Sequence, residues 1–85
     1  MRVISQHGNV DLPYEQIVVC HAMKSVIALH NEEKYVLGEY SSKEKSYKAM
    51  EMLREAYINE AIEFTHGIYH RNIVFQFPQD DEIEV

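Results

Sequence analysis

The fold this sequence predicts is an α+β domain. An antiparallel meander sheet of four to five strands is covered on one face by one long helix, and a final strand follows the helix. Three observations lead there. Short β-rich runs, separated by turn residues, fill the first forty positions. One helical stripe runs from Ser41 to His66. A last apolar run, Asn72 to Phe77, is stopped by Pro78.

In chain order, Arg2 to Gln6 reads as a strand and His7-Gly8-Asn9 as its turn. Val10 to Leu12 returns as a short second strand. Pro13 has no N–H to give a ladder, so Pro13-Tyr14 marks an edge or a bend. Gln16 to Ala22, rich in β-branched residues, is the clearest strand. Met23-Lys24-Ser25 is a tight connection to a pairing strand, Val26 to His30. The polar turn Asn31 to Lys34 leads to Tyr35 to Tyr40, where Gly38 marks a bulge or a close packing contact.

The helix opens with Ser41 and Glu44 in the S-x-x-E spacing of a capping box. Tyr47, Met50, Leu53, Tyr57, Ala61 and Phe64 then recur at three- and four-residue steps and draw its apolar stripe. Gly67, free to adopt the left-handed conformation, ends it. Ile68 to Arg71 connects to the final strand.

Strand residues alternate faces, so Ile17, Val19 and His21 oppose Val18, Cys20 and Ala22, and Val26 and Ala28 oppose Ile27 and Leu29. Both faces are apolar, yet there is one helix to cover them. A bare apolar face of this size is rare on a soluble monomer, which predicts a homo-oligomer. The alternative is a strongly twisted sheet rolled round a single core.

Eighty-five residues make one domain, 1–85, with the acidic segment 79–85 expected to be a flexible end. Asp80, Asp81, Glu82 and Glu84 supply four acids there, and the rest of the chain carries ten acids against eight bases. Such a balanced body argues against a nucleic-acid footprint. The single cysteine excludes an intrachain disulfide. With no signal-peptide pattern and no apolar run long enough to span a bilayer, a cytoplasmic protein with no membrane partner is expected.

Enzyme signatures are missing. Gly8, Gly38 and Gly67 are the only glycines, so there is no phosphate loop. Cys20 and His21 are neighbours on one strand and point to opposite faces, which rules out a nucleophile–base pair between them. His66-x-x-x-His70 has metal-ligand spacing, but Gly67 interrupts it and no third ligand is evident. No cofactor and no catalytic residue are expected. The segment with recognition chemistry is Tyr69-His70-Arg71-Asn72 leading into Phe75-Gln76-Phe77. Arg71 offers a guanidinium fork for phosphate oxygens, and Tyr69, Phe77 and Asn72 offer aromatic faces and amide bonds for a base. Arg54, one step off the helix stripe, is a second candidate for phosphate.

Several stretches resemble a family of small phage and prophage proteins of Gram-positive bacteria. They are Met1-Arg2-Val3-Ile4-Ser5-Gln6 with Pro13-Tyr14-Glu15, and Gly38-Glu39-Tyr40-Ser41 with Lys43-Glu44-Lys45. Met50 to Tyr57 and Phe75-Gln76-Phe77-Pro78 complete the set. The family is similar to the phage anti-Thoeris sponges, which sequester cyclic ADP-ribose isomers, and in some members cyclic oligonucleotides, without cleaving them. The resemblance implies an oligomer with ligand pockets between subunits, acting in the cytoplasm of the infected bacterium. The alternative class is a small inhibitor that binds a host protein through the acidic end or the apolar sheet face.

Overall fold

The computed structural model describes residues 1–65 and 74–85, with side chains described through Asn59 and again from Val74. The chain is α+β, as the sequence predicts: six strands and one long helix among the described residues. The strands are β1 (Arg2–Ile4), β2 (Asp11–Pro13), β3 (Val18–Ala22), β4 (Ser25–His30), β5 (Glu33–Glu39) and β6 (Val74–Gln76). The helix, α1, is Lys43–Thr65. Short 3-10 turns cover Tyr14–Gln16 and Asp80–Glu82.

The strands do not form one meander. They form two three-stranded sheets, ordered β2-β1-β6 and β3-β4-β5. The second is an antiparallel meander. In the first, β1 pairs antiparallel with β2 but parallel with β6, Val3 opposite Phe75. The parallel pair follows from topology: α1 carries the chain back across the molecule, so β6 enters its sheet in the same direction as β1.

The two hairpin turns of the second sheet explain its tight register. Met23 takes φ 56°, and Asn31 and Glu32 take φ 50° and 68°. Positive φ at the start of a two-residue turn matches the strands' right-handed twist. Asparagine tolerates this conformation, whereas Met23 holds it without such help while remaining 80% exposed.

The inner face of the second sheet carries Val19, His21, Val26, Ala28 and Tyr35, and α1 packs there. Helix residues Ser46, Ala49 and Leu53 are buried and Met50 half-buried, whereas Tyr47 is 58% exposed. The contact stripe is therefore turned by about one residue from the one predicted, because small Ser46 and Ala49 let the helix axis approach the sheet. The cap is shifted too. Ser42 Oγ accepts the Lys45 N–H at 3.2 Å, so Ser42 takes the capping role expected of Ser41. Gly67 and the metal-spaced His66 and His70 lie outside the described residues.

Between Val26 and Ile27 the pairing of β4 with β5 slips, so that Val26 faces Gly38 and Ile27 faces Val36. This is the bulge that Gly38 predicts, and the close contact is present as well. A Cβ on Gly38 would lie 2.8 Å from the Tyr40 ring, below any real Cβ contact.

The bulge turns the end of β5 toward the first sheet, and Gln6 joins the two. Its N–H donates to the Leu37 carbonyl at 2.7 Å. Its amide oxygen accepts the Glu39 N–H at 3.0 Å, and its amide nitrogen donates to the carbonyls of Glu39 and Pro78, both at 3.2 Å. Gln79 Nε2 in turn donates to the Gln6 carbonyl at 2.7 Å. A residue 6% exposed thus has its backbone and side-chain polar groups satisfied, as burial requires.

The acidic segment 79–85 makes hydrogen bonds and core contacts with the rest of the domain. The Asp80 carboxylate accepts the Ser41 N–H at 2.7 Å and its hydroxyl at 3.0 Å, and Lys45 Nζ lies 3.3 Å away. Tyr40 donates its hydroxyl to the Pro78 carbonyl at 2.9 Å, and Ile83 is buried in the core. An apolar residue between four acids gives the segment something to bury, and Asp80 supplies the bonds that hold it down.

Candidate functional site

Helix positions 47, 50, 51 and 54 follow three- and four-residue spacing, so Tyr47, Met50, Glu51 and Arg54 share one flank of α1. That flank faces Val19 of β3 and Tyr14 of the 3-10 turn across a half-open groove of about 430 Å³. Leu53, buried, and Val19 and Met50, half-buried, give it an apolar lining. Tyr14 and Tyr47 add aromatic surface, and Glu51 and Arg54 add the charges. A volume near 430 Å³ lies within the usual range for small-molecule sites.

Both tyrosines are held by a ring from another element. Tyr14 packs on Tyr57 of α1, with centroids 4.5 Å apart and a tilt of 38°. Pro13 aids this placement by fixing the backbone as the chain leaves the edge strand β2. Tyr47 stacks on His21, with centroids 4.0 Å apart and planes within 7°. His21 is fixed in turn by Ser46, with Nε2 and Oγ 2.5 Å apart.

The Ser46–His21 contact brings together two residue types used in nucleophilic catalysis, but its proton arrangement is structural. Ser46 Oγ donates its one hydrogen to the Lys43 carbonyl at 2.7 Å, so toward His21 it accepts, and Nε2 carries the proton. A nucleophile needs the opposite arrangement and access to substrate. Ser46 is fully buried. The pair positions Tyr47.

Electrostatically, Arg54 stands out. Of the two arginines whose side chains are described, Arg2 is paired with Asp11, an exposed contact that holds the Asp11 carboxyl below its ordinary value. Arg54 forms no ion pair among the described residues and is exposed at the groove. A guanidinium beside two tyrosines offers a fork for an anion next to surfaces for a planar ring.

Of the five ligand residues expected from sequence, Arg54 is at this groove. Phe77 is not. It is 1% exposed in the core, where Phe75 meets it edge-on at 5.3 Å, so its ring is used for packing. Tyr69, Arg71 and Asn72 lie outside the described residues. Sequence reasoning missed Tyr14 and Tyr47. Tyr47 was placed on the buried stripe, and Tyr14 reaches it only through the crossing of α1 over β3, which local periodicity does not encode.

No known family model, curated protein or solved structure matches the chain.

Proposed function

We propose that this protein is a binding protein of the phage anti-defence type, which captures a cyclic nucleotide or ADP-ribose-isomer signal and withholds it without cleaving it. The observation that carries this reading is the groove, where a guanidinium with no ion pair among the described residues lines the same groove as two tyrosines that neighbouring rings already hold in place. A ligand with phosphate and a planar base fits that chemistry. Arg54 takes phosphate oxygens, and Tyr47, with one face covered by His21, has its remaining exposed surface for a base. Pre-positioned side chains lower the ordering cost of binding. Arg71, Tyr69 and Asn72 keep the ligand roles that their residue types suggest, while Phe77 belongs to the core. The acidic end gives less support to the alternative of a protein-binding inhibitor, because Asp80 is engaged with Ser41 and Lys45.

The test is thermal unfolding of the purified protein against a panel of cyclic nucleotides and ADP-ribose isomers, with Arg54→Ala alongside. A ligand at a hundredfold excess over its Kd stabilises the folded state by about 2.7 kcal/mol. For a domain this small the Tm should rise by roughly 10 °C or more. The expected outcome is such a shift from one nucleotide, its loss in Arg54→Ala, and release of that nucleotide intact on denaturation. Absence of a shift across the panel, or recovery of a hydrolysed product, would overturn the proposal.

A further inference from the structure

The outer face of the β3-β4-β5 sheet has a pattern that the fold itself does not use. Its residues form three rows across the strands, set by the observed register. The middle row is Cys20, Ile27 and Val36. On one side of it lie Val18, Leu29 and Lys34, and on the other Ala22, Ser25 and Glu39. The bulge brings Glu39 onto this face, three residues after Val36 instead of the usual even spacing. Val18 is 59% and Val36 50% exposed, Ala22, Lys34 and Glu39 are exposed, and Cys20, Ile27 and Leu29 are half-buried. The helix covers the opposite face.

We propose that this face is a two-fold homodimer interface, with the axis along the Cys20–Ile27–Val36 row. A rotation about that row sends each outer row onto the other. Val18 then lies over the partner's Ala22, Leu29 over the partner's Ser25, and Lys34 over the partner's Glu39. Large residues meet small ones in two of the three pairs, and a cation meets an anion in the third. An isologous interface must be self-complementary in this sense, and the face satisfies the condition in both size and charge. Two twisted sheets pack face to face at about 10 Å with their strands roughly aligned, which this axis allows. The occupant that fits is therefore a second copy of this chain. The inference uses none of the groove residues and stands apart from the proposed ligand.

Sedimentation velocity over a concentration series tests it, using the whole protein. The wild type should pass from one to two chains in mass. Lys34→Glu and Glu39→Lys each replace two symmetry-related attractive pairs with repulsive ones, and each should weaken association about tenfold. The double reversal should restore it. Ile27→Glu places a charge on the axis and should leave monomer at every concentration. Both charge reversals are at exposed positions, so they remain informative if Ile27→Glu does not fold. A short bismaleimide should join Cys20 to the partner's Cys20 in the wild type and need about tenfold more protein to do so in the single reversals. One chain in mass at all concentrations would overturn the proposal, as would association that neither reversal weakens. A double reversal no tighter than the single ones, which another protein partner for this face would produce, would overturn it as well.

Discussion

The Gln6 seam and the Tyr14–Tyr47–Arg54 groove are both built where elements distant in sequence meet, and they treat their polar groups in opposite ways. At the seam, an amide, a phenol and an aspartate each find partners within the chain. At the groove, a guanidinium sits beside two aromatic rings and finds no ion-pair partner among the described residues. The contrast separates two uses of polar chemistry in a small domain. Satisfied groups at the seam join two sheets that share no continuous ladder. At the groove the Arg54 guanidinium is exposed with no ion pair among the described residues, which is the arrangement that the proposed ligand would use. Substitutions at the two regions should therefore affect different measurements.

The largest effect is expected at Gln6. Gln6→Ala removes three side-chain bonds: the Glu39 N–H and carbonyl lose their Gln6 partner, while the Pro78 carbonyl keeps the Tyr40 hydroxyl. A net hydrogen bond contributes about 1 kcal/mol, so a loss of about 3 kcal/mol should be read in urea unfolding. Arg54→Ala at the exposed groove should change stability by less than about 0.5 kcal/mol in the same assay. If the two variants cost the same, the division between seam and groove is wrong.

A smaller loss, about 1 kcal/mol, is expected from Tyr40→Phe, which leaves the Pro78 carbonyl without its hydroxyl donor. The same substitution has a signature in alkali. Burial, reinforced by the Asp80 and Glu82 carboxylates, holds the Tyr40 phenol well above its ordinary value. The unfolded chain releases that proton first, near pH 10. Tyr40 therefore contributes stability that is fully present below about pH 10 and falls as pH rises toward the higher folded value. Tyr40→Phe should flatten that part of the alkaline limb, as followed by circular dichroism.

The smallest effect is confined to acid. Hydrogen bonds from the Ser41 backbone and hydroxyl, with Lys45, hold the Asp80 carboxyl below its ordinary value. Its contribution is present above about pH 4 and is lost as pH falls through the lower folded value. Asp80→Asn should lower stability at neutral pH and reduce its dependence on pH below 4. An unchanged acid limb would mean that the anchor of the C-terminal segment lies elsewhere.

How far these regions are legible in the sequence depends on whether their determinants are local. Gln16 to Ala22, Val26 to His30 and the helix announce themselves through propensity and period, and the structure contains all three, the strands running Val18–Ala22 and Ser25–His30. Gly38 signals its bulge because only a residue without a side chain fits under Tyr40. The cap was placed one residue early because Ser41 is taken by Asp80, a partner no local pattern reveals. The parallel pairing of β1 with β6, and hence the division into two sheets, joins segments about seventy residues apart, which no local pattern encodes. Phe77 carries the composition of a ligand residue and the environment of a core one, and only the fold distinguishes them. Arg54 was legible because its position off the stripe depends on the helix alone. The tyrosines beside it were not.

The pairing of Val3 with Phe75, and of Gln6 with Pro78 and Gln79, also sets an order in time. The second sheet and its helix are built from segments adjacent in sequence, and such contacts form early and quickly. The central strand of the first sheet must wait for a partner near the opposite end of the chain. During synthesis β1 leaves the ribosome before β6 and, within its sheet, has only β2 beside it until residues 74–79 emerge. The first sheet therefore closes only after the second sheet and its helix have been made, and the seam at Gln6 forms with it.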